Sequence, residues 1–383
     1  QEAIDVYAPE HGTLIPGSYI VTLKSDFGAG MRTLSGYKAR QIAVKEAMNE
    51  MVKRVGLKEG NVTRTYSANS LMGFAIDNID ASIASEIAGM PEVAAVEQNR
   101  VVALAPPDWW CAIFPFWPGC DDGGPGPDPD QTTPWGITRV GGATDFSNSS
   151  KKAWVIDTGI DFDHPDLNVN TSLSRSFVGS NGNDGNGHGT HVAGTIGAID
   201  NSIGVIGVAA GVEVVAVQVL GATGGGSFAG VISGIDYVAQ TASPGDVANL
   251  SLGGPTSAAV DAAIANLGAA GVFVSLAAGN ESQNANNVSP ARTNGPNIYT
   301  VSAMTSSDFL ASFSNFANPP VDFAAPGQGI ESTWLNGGYN TISGTSMAAP
   351  HVAGLLLVTN GNLSSDGVIS GDRDNIPDPI AHK

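Results

Sequence analysis

The sequence predicts an α/β protein: a mostly parallel sheet with helices on both faces, preceded by a small α+β unit. Three observations carry that prediction. From residue 131 onward, short β-branched apolar runs alternate with helical stretches, the pattern of strands covered on both faces by crossover helices. Ahead of them, residues 18–104 have their own rhythm of strands and amphipathic helices. Between the two, Ala-Pro-Pro, paired tryptophans and Gly-Pro-Gly-Pro-Asp-Pro-Asp (124–130) exclude regular structure over 105–130. Charge divides at the same place, with 10 basic and 12 acidic side chains up to residue 104 and 7 and 24 beyond it. The expected organisation is an N-terminal extension 1–17, a small unit 18–104, a linker or extension 105–130 and a main unit 131–383.

In the small unit, Tyr19 to Leu23 alternate as a strand. Residues 38–56 place Val44, Ala47, Met48, Met51, Val52 and Val55 on one helical face. Val62 to Tyr66 and Leu71 to Ile76 return to strand, Asp80 precedes a short amphipathic helix at Ile83 to Ala88, and Val93 to Val96 close the series. The order βαββαβ is ferredoxin-like, and the unit carries no chemical constellation of its own, which suits a module that binds, folds or inhibits something else. In the main unit, strands are expected at Ala153 to Ile156, Val214 to Leu220, Val247 to Leu252, Val272 to Leu276 and Ile298 to Ala303.

Composition narrows the function. A net charge of −19 disfavours nucleic acid and anionic membranes as partners, since both require a basic face. No apolar run approaches the length of a membrane span. The 49 glycines and 22 prolines imply many tight turns, which suit a large α/β enzyme better than a helical bundle. The two cysteines, Cys111 and Cys120, are either free thiols or a short-loop disulfide worth about 2 to 3 kcal/mol; the disulfide is the reading adopted. It points to an oxidising, extracytoplasmic setting, and the lack of a charged-then-apolar leader before Gln1 is read as a signal peptide removed or omitted.

In parallel sheets, catalytic groups collect at the carboxyl ends of strands. Asp157 ends one such strand. His188 lies in Gly-His-Gly-Thr-His, where small residues let a helix start pack closely, and Ser346 lies in a glycine-led turn into a helix whose N-terminal amides face a developing anion. Singly, these are an ordinary turn former, loop residue and helix cap. Together they supply orienter, base and nucleophile: the imidazole removes the hydroxyl proton, and the carboxylate holds the imidazole tautomer and stabilises its cation.

Val155-Ile156-Asp157-Thr158-Gly159, His188-Gly-Thr-His-Val-Ala-Gly194 and Gly344-Thr-Ser-Met-Ala-Ala-Pro350 resemble the three signatures of the subtilisin-like serine proteases, over residues 131 to about 358. The resemblance implies a subtilisin-like fold and peptide hydrolysis through an acyl-enzyme. It also implies that Asn280, in Ala277-Ala-Gly-Asn280, donates with the Ser346 N–H to the tetrahedral oxyanion. Gly225-Gly226-Ser227 and Ser251-Leu252-Gly253 resemble the two segments that sandwich a substrate strand, where missing Cβ atoms let a backbone approach. Phe228 would wall an apolar pocket four residues upstream of the cleaved bond, or serve as core packing.

The resemblance further implies calcium, held tightly by Gln131, Asp166, Asn201 and the carbonyls of Ile199, Ile203 and Val205, with a weaker site at Asp322 and the carbonyls near Pro296 and Ile298. Asp372, Asp374 and Asp378 read as a solvated acidic tail. Residues 18–104 resemble an inhibitory propeptide with Val101-Val-Ala-Leu104 as its tail, so self-cleavage is expected after Leu104 and large apolar groups are expected before the cut in substrates. The expected product is a secreted, monomeric endopeptidase inhibited by its own propeptide; a catalytically inactive peptide-binding module on the same fold is the alternative.

Two rival readings fail on the residues. Gly221 to Gly226 lacks both the Gly-Lys-Ser/Thr and the dinucleotide spacing, and His188 with His191 lacks a third zinc ligand, leaving His191 as a buried structural residue. After Ser346 only 37 residues remain, fewer than the terminal helices usual in such proteins need.

Overall fold

The computed structural model describes residues 11–27, 31, 34, 37–67, 71–104, 130–179 and 181–383. The cysteine pair and nearly all of the expected linker lie outside the described residues.

The small unit has the expected βαββαβ order: strand Leu14–Leu23, helix Tyr37–Lys53, strands Val62–Ser67 and Met72–Ile76, helix Ala81–Ala88 and strand Val93–Ala103. The strands pair antiparallel in the order 93–103, 14–23, 72–76, 62–67. Period-2 alternation explains how one thin sheet serves two cores. Val21, Met72, Phe74 and Ile76 face the two helices and meet Val44, Met48, Met51 and Val52. Ile20, Tyr66, Ala75 and Val102 face the other way, into the core of the main unit. Asp80 starts its helix by accepting from the Ser82 and Ile83 amides. The final strand is longer than the expected Val93 to Val96: it stays paired with strand Leu14–Leu23 as far as Arg100, and its last three residues pair with Gly225–Ser227.

The main unit is a nine-stranded sheet in the order 364–368, 379–382, 321–326, 298–304, 273–277, 247–250, 152–157, 213–218, 175–176. Every neighbouring pair is parallel except 364–368 with 379–382. The alternation again sorts side chains. Ala153 and Val155 pack with helices His188–Gly197 and Thr345–Thr359, while Trp154 and Ile156 pack with helices Phe228–Thr241 and Ala258–Ala269. The strand expected to reach Leu252 stops at Leu250, and the chain then turns away toward Ser346.

The residues after helix Thr345–Thr359, too few for the usual terminal helices, end in strands. Ser364–Val368 and Pro379–His382 form a hairpin whose second strand joins Val321–Pro326, burying Ile369 and Ile380 against Met304, Leu310 and Ala324. The acidic segment is not all solvated. Asp378 is fully buried, accepts from the Ser302 hydroxyl, and burial pushes its carboxyl up to about 7. Its position directly before the buried strand draws it inside.

The small unit is fastened to the main one by polar side chains on helix starts. Glu97 accepts from the Ser257 hydroxyl (2.8 Å) and the Ala259 amide (3.0 Å), and Asn99 accepts from the Ala229 amide (3.1 Å). These are N-terminal amides of helices Ala258–Ala269 and Phe228–Thr241, where an acceptor is favoured. Glu97 and Asn99, two residues apart on one strand, thus share the face that meets the main unit.

Candidate active site

Asp157 is the last residue of strand Lys152–Asp157 and is fully buried. Its Oδ1 lies 2.8 Å from His188 Nδ1 and also accepts from the Thr158 amide at 2.7 Å. His188 opens helix His188–Gly197. Burial alone would lower its pKa, but the charge and hydrogen bond of Asp157, with the charge of Asp184, raise it above the ordinary imidazole value. An imidazole so held keeps a proton on Nδ1 and donates it in a hydrogen bond to the Asp157 carboxylate, leaving Nε2 to accept one.

Ser346 is the second residue of helix Thr345–Thr359, which packs against the His188 helix. Its hydroxyl donates to the Ser251 carbonyl (3.2 Å), while the Ser251 hydroxyl donates back to the Ser346 carbonyl (2.8 Å) and accepts from Asn249 (2.9 Å). Ser346 is 8% exposed.

Asn280 is oriented by chemistry. Its Oδ1 accepts from the Thr345 amide (2.8 Å) and hydroxyl (3.0 Å), which leaves the Nδ2 group as a donor. A Cβ placed on Gly344 would stand 3.6 Å from both Asn280 Nδ2 and Ser346 N. Both nitrogens therefore border one position, the one a side chain on residue 344 would fill, and an oxyanion placed there would have two donors beside it.

Gly225, Gly226 and Ser227 pair antiparallel with Ala103, Val102 and Val101, and the Leu104 amide donates to the Gly224 carbonyl (3.1 Å). Gly226 has no room for a side chain, since a Cβ would lie 2.3 Å from the Val219 carbonyl. Phe228 is buried and shares one apolar cluster with Val102 and Leu252. Among the described residues no backbone hydrogen bond joins Ser251, Leu252 or Gly253, the other expected substrate segment, to Val101–Leu104.

The expected tight cation residues come together. Gln131 reaches the carbonyls of Ile199 (2.8 Å) and Val205 (3.3 Å). Asn201 touches Asp166 Oδ1 (2.7 Å), and Asn201 Oδ1 accepts from the Ile203 amide. Asp166 is buried, which pushes its carboxyl up to about 6 despite hydrogen bonds from Val205, Asn201 and Tyr339. One buried carboxylate among carbonyls and side-chain amides, with no sulfur or imidazole in the set, is a hard-oxygen environment that fits calcium and does not fit zinc. At the second expected site, Asp322 is likewise pushed up to about 6 by burial and accepts from the Thr300 amide (2.8 Å), in the strand that Pro296 and Ile298 lead into. Among the described residues no group of three or more His, Cys, Asp or Glu side chains is arranged to hold a metal. A site here would depend on carbonyls and amides. His191 is buried with Nε2 on the Ile330 carbonyl, and burial pushes it down to about 3, in keeping with a structural role.

Sequence reasoning missed Asp184. Its carboxylate accepts from the amides of Asn186 (2.9 Å), Gly187 (3.1 Å) and Thr190 (3.0 Å) and from the Thr190 hydroxyl (2.7 Å), so it ties down the turn that presents His188. An Asp shortly before an apolar helix was the available signal.

Comparison with known proteins agrees in both halves. The subtilase family model matches residues 153–365, and the peptidase inhibitor I9 model matches residues 18–105. A subtilisin-like serine protease, AsES, of Sarocladium strictum is 37% identical over 373 residues, covering 90% of this chain and 87% of the relative. Proteinase T of Parengyodontium album is 45% identical over 240 residues, 59% of this chain and 79% of that protein. The crystal structure of a cold adapted subtilisin-like serine proteinase is 40% identical, with a TM-score of 0.58, covering 65% of this chain and 97% of that one.

Proposed function

Because this chain belongs to the subtilase family of serine proteases and carries a peptidase inhibitor I9 domain ahead of its protease domain, we propose that it is a secreted endopeptidase made as a self-processed zymogen. The observation that carries the reading is the Asp157–His188 hydrogen bond, next to a helix whose Ser346 amide and the Asn280 side chain border one position.

In the proposed reaction, His188 Nε2 takes the Ser346 hydroxyl proton as Oγ bonds to the substrate carbonyl carbon. The carbonyl oxygen becomes an oxyanion held by Asn280 Nδ2 and Ser346 N–H. His188 then gives its proton to the departing amine as the C–N bond breaks, leaving an acyl-enzyme. Water, deprotonated by His188, repeats the sequence and returns Oγ–H. The Asp157 carboxylate holds Nδ1–H throughout, and its charge favours each imidazolium. In the structure the Ser346 hydroxyl is bonded to the Ser251 carbonyl and not to His188, so that bond must break before His188 can take its proton.

Main-chain pairing along Gly225–Ser227 supports broad sequence tolerance, and the apolar tail supports a preference for large apolar groups before the cut. The domain boundaries proposed are an extension 1–17, a propeptide 18–104, an extension 105–130 and a protease domain 131–383. Cleavage after Leu104 is the primary reading. One observation favours a second: Val102, rather than Val101, shares the Phe228 cluster, and counting four residues from it places the cut after Ala105. The first is preferred because the Ala105–Pro106 bond is a tertiary amide whose nitrogen bears a ring.

Calcium, when bound, would supply positive charge that gathers the loop oxygens around Asp166 and Asp322. The chain's contribution is the carboxylate, amide and carbonyl set of Gln131, Asp166, Ile199, Asn201, Ile203 and Val205. No helix among the described residues is long and apolar enough to cross a membrane. A single chain suffices for the site, so we expect a monomer.

The test is labelling with a serine-directed phosphonate, together with N-terminal sequencing of matured protein. Stoichiometric adduct on Ser346 and a new terminus at Ala105, both absent from Ser346→Ala, support the proposal. An unlabelled, unprocessed wild type would leave the catalytically inactive binding module. A terminus at Pro106 would move the cut by one residue.

A further inference from the structure

The inhibitory tail has two edges, and only one of them is taken by the protease domain. In an extended strand, alternate residues present their N–H and C=O to opposite sides. Val102 and Leu104 address Gly224–Gly226. Val101 and Ala103 address the other edge, on the side of the rim at Gly254 and Pro255 that directly follows Ser251-Leu252-Gly253. Those groups are already occupied, by the segment just upstream of strand Leu14–Leu23. Gly12 N–H donates to the Val101 carbonyl (2.9 Å), Val101 N–H donates to the Thr13 carbonyl (2.9 Å), and Ala103 N–H donates to His11 Nδ1 (3.1 Å). Arg100 adds a bond to the Gly12 carbonyl (2.9 Å).

This arm also rests on the wall of the groove. Gly12 has φ +80°, and a Cβ there would lie 2.8 Å from Pro255 Cγ; a Cβ on Gly254 would stand 3.4 Å from His11 Cε1. Gly254 and Pro255 directly follow the Ser251–Gly253 segment. The arm therefore lies between the tail and the rim, and it takes the backbone groups that a simple substrate strand would offer to that wall. A left-handed backbone pressed against a proline ring admits little other than glycine at position 12.

We propose that His11–Thr13 form a second inhibitory strand, so that the groove beside Ser346 holds a two-stranded ligand in the zymogen and a one-stranded ligand in turnover. The arm keeps Val101 and Ala103 from pairing with Ser251–Gly253 and braces the tail after it has been cut, which slows release of activity. This rests on the protease reading above and assigns a further element of its regulation.

Gly12→Pro tests it in the full chain. Proline removes the N–H given to Val101 and cannot adopt φ +80°. The core of the small unit, around Val21, Val44 and Phe74, is untouched. Purified zymogen is followed for activity on a fluorogenic peptide, from self-processing until the propeptide is fully degraded. The expected result is a lag shortened by at least about tenfold, on the scale of one to two backbone hydrogen bonds lost, with unchanged specific activity once degradation is complete. Deletion of residues 1–13 should match it, and serves alone if Gly12→Pro does not fold. Equal lags in wild type and the arm variants, with full final activity, would overturn the arm. Absence of activity and of Ser346 labelling even after the propeptide is gone would instead overturn the protease reading.

Discussion

In a Ser346→Ala form, which cannot digest itself, titrating stability with calcium removed isolates the Asp166 carboxylate. Asp166 is fully buried and its pKa is pushed from 3.8 to about 6 by desolvation, against opposing hydrogen bonds. A folded value above the unfolded one means that the folded state holds the proton longer, so stability falls as pH rises through the window from about 4 to about 6. Two units correspond to at most about 3 kcal/mol, or roughly 6 to 12 °C of melting temperature for a domain of this size. Other buried acids titrate too, so the quantity to read is the difference between this protein and Asp166→Asn in the same background. The Asn form should lack that share of the decline, although its amide will meet donors such as the Val205 N–H and lower its stability at every pH. With millimolar calcium the sign reverses: the ionised carboxylate becomes a ligand, the parent gains stability above about pH 6, and Asp166→Asn does not. Scanning calorimetry at about pH 4 and pH 7, with chelator and with calcium, supplies the four numbers needed. Parallel curves for the two proteins in chelator, or an equal calcium response, would refute the assignment.

Asn280→Ala should lower kcat about 10²- to 10³-fold, the loss seen when one such donor is removed from a subtilisin, with KM nearly unchanged; a proportionate rise in KM would assign Asn280 to ground-state binding. Asp184→Asn removes a charge that raises the His188 pKa, so the acid limb of kcat/KM should move to lower pH, and an amide facing the Thr190 and Gly187 donors should destabilise the domain by about 1 to 3 kcal/mol. An unmoved limb in a folded variant would leave Asp184 with a structural role alone. Asp378→Asn should flatten the stability loss expected between about pH 4 and pH 7 from a buried carboxyl pushed up to about 7, read by thermal unfolding in the Ser346→Ala background; an unchanged slope would show that Asp378 does not titrate in that range.

Much of the fold was legible because its elements are written in local patterns. The βαββαβ order of the small unit and five strands of the large sheet follow from period-2 and helical apolar spacing, and their observed limits differ mainly at the ends. The exceptions have identifiable reasons. Strand Val93–Ala103 outruns its expected end because the polar run Glu97–Arg100 stays paired with strand Leu14–Leu23, and the partner of Val101–Ala103, Gly225–Ser227, is more than a hundred residues away and has no apolar signature of its own. The C-terminal hairpin escaped notice because Ser364–Val368 is exposed throughout, so no alternation marks it, and Asp378 counts as a solvated acid until the strand beside it is known to be inside.

The candidate site divides in the same way. Asp157, His188, Ser346 and Asn280 could be picked out from short motifs, since each motif encodes a turn or helix start that presents its residue. Which atom bonds which could not. The Asn280 carbonyl is turned to Thr345 so that its amide is free, the Ser346 hydroxyl rests on Ser251, Asp184 holds the turn before His188, and His11–Thr13 lie along the tail. The residue types, their spacing and the local secondary structure were set by interactions within a few residues, which one chain segment contains completely. The paired edges, donor directions and buried acids arise from segments far apart in the chain, whose contact is decided only when apolar packing brings their surfaces together.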